Sequence, residues 1–344
     1  LLILIQKATF IGFISIKTYL YYQISKNMEE QIIATSTALD ATLGHLGRAI
    51  LPKVLQVQQG IVRATHEFMF KKGLTQLMPL MLSPITDPLN HGVVDASIQY
   101  AEQRWSLTKS MIFHKQLALL NPALSSIYIV SPNVRLEFAD RADTGRHLFE
   151  FTQIDFEFKN KDRFYVMEFM EELVNFIFDR LNKEIPELLL ELRGELLPQY
   201  EKWEVHRTEK LEAALGPDYE HLKSKEATAP FWLLNHRREF YDKEDPKKLG
   251  TFLNYDTIWP EGYGEGLSGA ERENEYHQIR KRMAEVGTNE ETFRNYLQIA
   301  KENGLPRTAG GGFGVERMTR FICRLNDVDE ATVFSRKPFT SAIF

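Results

Sequence analysis

The chain has 344 residues, 43% of them hydrophobic and 26% charged, with a formal net charge of −5. That length buries a large core, as one big α/β domain or two smaller ones, and the ordinary composition excludes a collagenous, low-complexity or disordered protein. The acidic balance offers no broad electrostatic footprint for nucleic acid, which argues against a nucleic-acid-binding role, and a single cysteine, Cys323, excludes a disulfide framework and fits a reducing cytoplasm.

Residues 1–22, from Leu1-Leu2-Ile3 to Tyr19-Leu20-Tyr21-Tyr22, are apolar enough to suggest a membrane anchor or a signal sequence. Lys7 and Lys17 interrupt the run, and a charge inside a span costs about 2.5–3.5 kcal/mol. No small-residue cleavage site follows. Residues 1–27 therefore read as an appended apolar segment, with no membrane role expected, and residues 28–344 as one domain. Its first stretch, 28–72, reads as helical: apolar residues recur at Val54, Leu55, Ile61, Val62, Phe68 and Met69 before Lys71-Lys72-Gly73 ends the pattern.

Two strands joined by a polar loop are expected next. Residues 127–137 are rich in β-branched and aromatic types, residues 149–158 alternate, and Asp140–Gly145 has turn composition. Arg135 and Glu137, two apart, share a face; one suits a phosphate, the other an exocyclic amine. Arg146 and His147 lie on the loop, and Phe151 offers a stacking surface. A surface hairpin with solvated charges gives the same pattern. Residues 162–193 carry apolar positions at helical spacing and read as a helix packed on a sheet. Residues 183–229 are rich in Glu, Lys, Leu and Arg, with breaks at Pro186, Pro198 and Gly216-Pro217, and read as an inserted helical region with a solvated face.

Asn254–Arg272 has the composition of strand, turn, strand, which brings Asp256 and Glu265 near each other across an antiparallel pair. Magnesium suits that arrangement, since it takes one or two carboxylates and completes its shell with water and substrate phosphate. Arg272 is placed to form a bidentate pair with a substrate carboxylate. Two further helices are expected over 270–303, split at Gly287-Thr288-Asn289. Gly310-Gly311-Gly312-Phe313-Gly314 then runs into Val315-Glu316-Arg317. Glycine weakens a strand unless something must approach its backbone, so this run suggests a flat ligand lying on bare main chain, with Arg317 reaching an anionic group; a plain β-to-α turn is the bland alternative. Together these features point to ATP.

Three such motifs in this order resemble the catalytic domain of class II aminoacyl-tRNA synthetases of the aspartyl/asparaginyl branch. Within that branch, Leu82-Ser83-Pro84-Ile85-Thr86-Asp87-Pro88, Ser110-Met111-Ile112-Phe113-His114-Lys115-Gln116-Leu117, Pro230-Phe231-Trp232 and Arg238-Glu239-Phe240-Tyr241-Asp242 most resemble the archaeal asparagine synthetases. The resemblance covers roughly residues 50 to 338. It implies an α+β fold, an antiparallel β-sheet flanked by helices. It also implies that Arg135 binds the α-phosphate, that Glu137 reads the adenine amino group, and that Phe151 and Arg317 sandwich the ring. Arg146 and His147 would sit above the polyphosphate, Asp256 and Glu265 would hold Mg2+, and Lys115, Arg272 and Ser268 would bind the amino-acid substrate. A homodimer through the helix ending near Gly73 and the strand through Pro79 is implied too. Two positions depart from the pattern, Ser335 and Arg237, where proline is usual.

The expected activity is an ATP-dependent aspartate–ammonia ligase in which aspartate forms an aspartyl-adenylate and ammonia expels AMP, with no tRNA bound. Fewer than 80 residues precede Pro79, too few for an anticodon-binding barrel as well as the helix, and this places the ligase ahead of an aspartyl- or asparaginyl-tRNA synthetase. A non-catalytic paralogue is the third reading, opposed by the presence of every expected contact residue.

Overall fold

The computed structural model describes residues 37–236 and 239–340, together with Gln23 and Lys26. The expectations for residues 1–22 and for Arg237 and Arg238 lie outside the described residues. Residues 37–46 form a helix, α1, in a compact unit distinct from the one that spans Ile50–Thr332 and Arg336–Phe339. The larger unit begins at Ile50. The helical reading of 28–72 is broken at Gly47–Ile50, and Pro52 sits in the first turn of the next helix, where its missing N–H costs nothing.

In the larger unit α2 (Leu51–Lys71) is followed by β1 (Thr75–Leu77), β2 (Leu82–Ser83), β3 (Ser97–Tyr100), β4 (Gln103–Leu107), α3 (Ile112–Ala118), β5 (Ser126–Val134) and β6 (Glu150–Lys159). Then come α4 (Arg163–Glu184), α5 (Pro186–Arg193), β7 (Glu204–Arg207), α6 (Thr208–Leu215), α7 (Tyr219–Glu226), β8 (Phe231–Leu234), β9 (Asn254–Trp259) and β10 (Gly264–Glu271). The last elements are α8 (Tyr276–Val286), α9 (Arg294–Glu302), β11 (Thr308–Gly314) and α10 (Val315–Cys323). Eight strands make one sheet in the order β1-β5-β6-β11-β10-β9-β8-β7, antiparallel except for the parallel pairs β1/β5 and β7/β8 at its two edges. This is the expected α+β fold: a largely antiparallel sheet flanked by helices.

Alternation along β6 divides the sheet into two faces. Ile154, Phe156 and Phe158 join the main apolar core with α2 and α4, while Asp155 and Glu157 point the other way and are just as buried. Helices α2 and α4 meet closely at Gly60, where an added Cβ would lie 2.5 Å from Leu181 Cδ2. Asp162 caps α4 by accepting from Tyr165 N. A second apolar cluster joins Phe113 of α3 to Phe240, Ile279, Phe293 and Tyr296.

The charged region 183–229 is no simple solvated insert. It supplies the edge strand β7, and α7 is docked on the β9–β10 hairpin through Ser224, which is fully buried and bonds Trp259 O (2.7 Å) and Gly264 N (3.2 Å). Cys323 is buried as core filler, its thiol pushed up to about 12 by burial. Among the described residues no helix is long and apolar enough to cross a membrane.

Candidate active site

The polar face of β6, β10 and β11 carries the site. In register, Glu157 of β6 faces Gly310 of β11 and Asp155 faces Gly312. A Cβ on Gly310 would lie 2.2 Å from Phe156 O and 2.3 Å from Glu157 Oε2; one on Gly312 would lie 2.6 Å from Asp155 Oδ1. Gly310 and Gly312 are therefore required because polar protein atoms, the carboxylates of Glu157 and Asp155 among them, lie across them. Bare main chain open to a flat ligand is found at Gly314 alone of the four, where the nearest atoms to an added Cβ belong to the Arg317 side chain at 3.8 Å.

Those acids close a buried ionic quartet. Lys115 Nζ donates to Asp155 Oδ1 (2.7 Å) and Gly311 O (3.2 Å) and lies 3.7 Å from Glu157 Oε2. Arg272 donates to both oxygens of Glu157 (3.1 and 3.2 Å) and to Gly310 O (3.0 Å), and its Nη1 lies 4.0 Å from Asp242 Oδ1. Burial alone would favour a neutral arginine; the charge and hydrogen bonds of Glu157 outweigh it and raise the pKa, keeping Arg272 protonated. The two expected substrate cations thus form the floor of the site with most donors already committed. Asp155 and Glu157 were missed in the sequence, although their alternation with Ile154, Phe156 and Phe158 opposite a glycine strand was the available signal.

Above that floor opens a cavity of about 390 Å³, in the range of small-molecule sites. Its wall includes Lys115, Arg135, Glu137, Arg146, His147, Phe151, Glu265, Ser268, Arg272 and Arg317, which is ten of the eleven expected site residues. Asp256 is not among them. Arg135 holds its guanidinium 5.1 Å from the centroid of Phe151 and donates from Nε to Lys109 O (3.1 Å). His91 Nε2 lies 3.1 Å from each oxygen of Glu137. Burial works against ionisation of Glu137, but the hydrogen bond and charge of His91, with His147 and Arg135, hold its carboxyl below the usual range. His91 was also missed; a lone loop histidine gives no sequence signal.

At the other end of the cavity two arginines meet two acids. Arg317 Nη1 pairs with Glu265 Oε1 at 3.1 Å, and Arg146 Nη2 with Glu220 Oε1 at 3.2 Å. Burial and the neighbouring Glu265 raise the pKa of Glu220. Burial, then the charge of Arg317, lowers His147 to about 4, so it is neutral near pH 7. Asp256 faces Ser268 across the β9/β10 ladder, while Glu265 faces Ile258 beyond a bulge. The two acids are thus diagonal neighbours on one sheet face, not directly opposed. Asp256 Oδ2 lies 3.1 Å from His236 Nε2. Among the described residues no group of three or more His, Cys, Asp or Glu could hold a metal ion. Glu265 opens on the cavity with Asp256 beside it on the same face, and this donor set fits magnesium, which takes one or two carboxylates and completes its shell with phosphate and water.

The family model described as tRNA synthetases class II (D, K and N) matches residues 35–338. The asparagine--tRNA ligase of Thermococcus kodakarensis is 26% identical over 346 residues, covering 92% of this chain and 75% of the relative. That of Thermus thermophilus is 26% identical over 310 residues, covering 82% and 69%. The crystal structure of Pyrococcus horikoshii asparaginyl-tRNA synthetase complexed with asparaginyl-adenylate superposes with a TM-score of 0.79 at 24% identity, covering 88% of this chain and 73% of that one, and so shares the fold. These relatives overturn the expectation of an ammonia-dependent asparagine synthetase, and with it asparagine biosynthesis and the absence of tRNA. That expectation rested on four short stretches of resemblance and on counting residues before Pro79. Such a count says nothing about what the chain acts on, because the cavity is lined entirely by residues downstream of Pro79.

Proposed function

The chain belongs to the class II (D, K and N) tRNA synthetase family, whose members are ATP-dependent ligases, and we propose that its cavity activates asparagine as asparaginyl-adenylate for transfer to tRNA. The observation that carries this reading is a match to asparagine--tRNA ligases over 92% of the chain, with one cavity gathering the residues suited to a nucleotide and an amino acid.

The α-carboxylate of asparagine attacks the α-phosphorus of ATP, and pyrophosphate leaves. A tRNA hydroxyl then attacks the acyl carbon and AMP leaves. Because the attacking group and the phosphate are both anions, the protein's task is to position them and neutralise their repulsion. Arg135 takes the α-phosphate beside Phe151, on which adenine stacks, and Glu137 accepts from the adenine amine once His91 yields its place. Arg317 exchanges its carboxylate for phosphate oxygens, and Arg146 offers them the guanidinium donors that Glu220 leaves uncommitted. Lys115, Arg272 and Ser268 hold the amino acid at the floor. When bound through Glu265 and Asp256, Mg2+ would supply charge neutralisation at the phosphates. Phe70 and Met78, 76% and 78% exposed near the end of α2 and beyond β1, support a homodimer through that segment.

Charging of total tRNA with labelled asparagine tests the proposal. Asparagine should enter an acid-precipitable, ribonuclease-sensitive product, and absence of such a product with a folded protein would refute it.

A further inference from the structure

We propose that Glu220 of α7 is a positioning residue: it clasps the loop that carries Arg146 across the mouth of the cavity before nucleotide arrives. Six contacts point to this. Arg146 Nη2 donates to Glu220 Oε1 at 3.2 Å across 74 residues of chain. The guanidinium lies against Gly264, where an added Cβ would meet Arg146 Cζ and Nη2 at 2.9 Å, and Gly264 has φ +74°, so no side chain competes for the place. Ser224, one helical turn after Glu220 and on the same face, pins α7 to the β9–β10 hairpin through Trp259 O and Gly264 N. Arg317 Nε donates to Arg146 O at 3.4 Å, and Val328 N to Gly145 O at 3.0 Å, so the far side of the loop is held as well.

Glu220 therefore stands on a docked helix, and the segment it holds is a loop outside the sheet ladder. With the clasp closed, the cost of ordering residues 141–148 is met before ATP binds. Without it, ATP itself must order them. The KM expectation rests on the adenylation reading above; the loop-exchange expectation does not.

Hydrogen–deuterium exchange on the full chain, comparing wild type with Glu220→Gln, Glu220→Asp and, as a control, Glu209→Gln on exposed α6, tests the clasp. In Glu220→Gln the amides of 141–148 and that of Val328 should exchange about tenfold faster, as weakening a charge-assisted hydrogen bond to a neutral one allows. The rest of the sheet should stay protected, Glu220→Asp should fall in between, and Glu209→Gln should match wild type. KM for ATP should rise several-fold with kcat within about twofold. Unchanged loop exchange in Glu220→Gln would overturn the clasp, as would an equal rise across the whole sheet, which a purely structural role would give. Should wild type itself fail to activate asparagine, the functional proposal falls while the exchange result still decides the clasp.

Discussion

Lys115 Nζ and Asp155 Oδ1 meet at 2.7 Å with each side chain only 2% exposed, at the bottom of a cavity that opens on the opposite face of the sheet from the main apolar core. A pair so placed is expensive to break, because whichever charge remains is left desolvated. Lys115→Met keeps the length and apolar stem of the side chain but strands Asp155 beside Glu157. It should cost about 3–5 kcal/mol of stability, read as a fall in denaturation midpoint. A variant as stable as wild type would mean that the Lys115 contacts contribute no net stability.

The glycine strand yields a contrast within one element. Gly310→Ala places a methyl 2.2 Å from Phe156 O and 2.3 Å from a Glu157 carboxylate oxygen, and should destabilise by about 1–3 kcal/mol through overpacking. Gly314→Ala meets only the Arg317 side chain at 3.8 Å and should stay within about 0.5 kcal/mol of wild type. Equilibrium unfolding of both variants separates the two cases. Equal effects would show that backbone flexibility, not the acids, requires glycine here.

Glu316, in the first turn of α10, is buried and accepts from Thr152 N with both oxygens (3.0 and 3.1 Å). Burial raises its pKa to about 7 from 4.5. The folded state thus holds this proton more tightly than the unfolded one. Its contribution to stability is complete below about 4.5 and is lost as pH rises through about 7. Relative to Glu316→Gln, wild type should lose up to about 3 kcal/mol between those limits. Denaturation of both proteins across that range should show the wild-type curve falling away from that of Glu316→Gln as pH rises; parallel curves would mean that Glu316 titrates normally.

Arg317 spans the cavity wall between Glu265 and the main chain of Arg146. Arg317→Ala should lower amino-acid-dependent ATP turnover by about 10²–10³ while leaving the unfolding midpoint near that of wild type, since the side chain is partly exposed. A variant with full turnover would place the phosphates elsewhere.

The fold was legible where alternation and helical spacing were regular. The β5–β6 pair, α4, the β9–β10 hairpin and the β11–α10 turn all stand within a few residues of where the pattern placed them. Strand β7 was not legible: Glu204–Arg207 is short, polar and set among charges, so only pairing with β8 makes it a strand. Glu220 was lost for the same reason, since a charge run on an isolated helix reads as solvated and only docking by Ser224 turns it inward. The sequence also suggested that the glycines face a ligand, because nothing local says that Asp155 and Glu157 lean over them. Ten of eleven expected site residues line one cavity because two-residue spacing on strands is a reliable guide to a shared face. Asp256 falls short because the bulge after Glu265 shifts the register between the two acids.

The most direct test is ATP–pyrophosphate exchange by the full chain with Mg2+, comparing asparagine, aspartate and no amino acid. Exchange that depends on asparagine is expected, at a rate well above that with aspartate. Exchange with aspartate alone, or none with either amino acid, would contradict asparagine activation in this cavity.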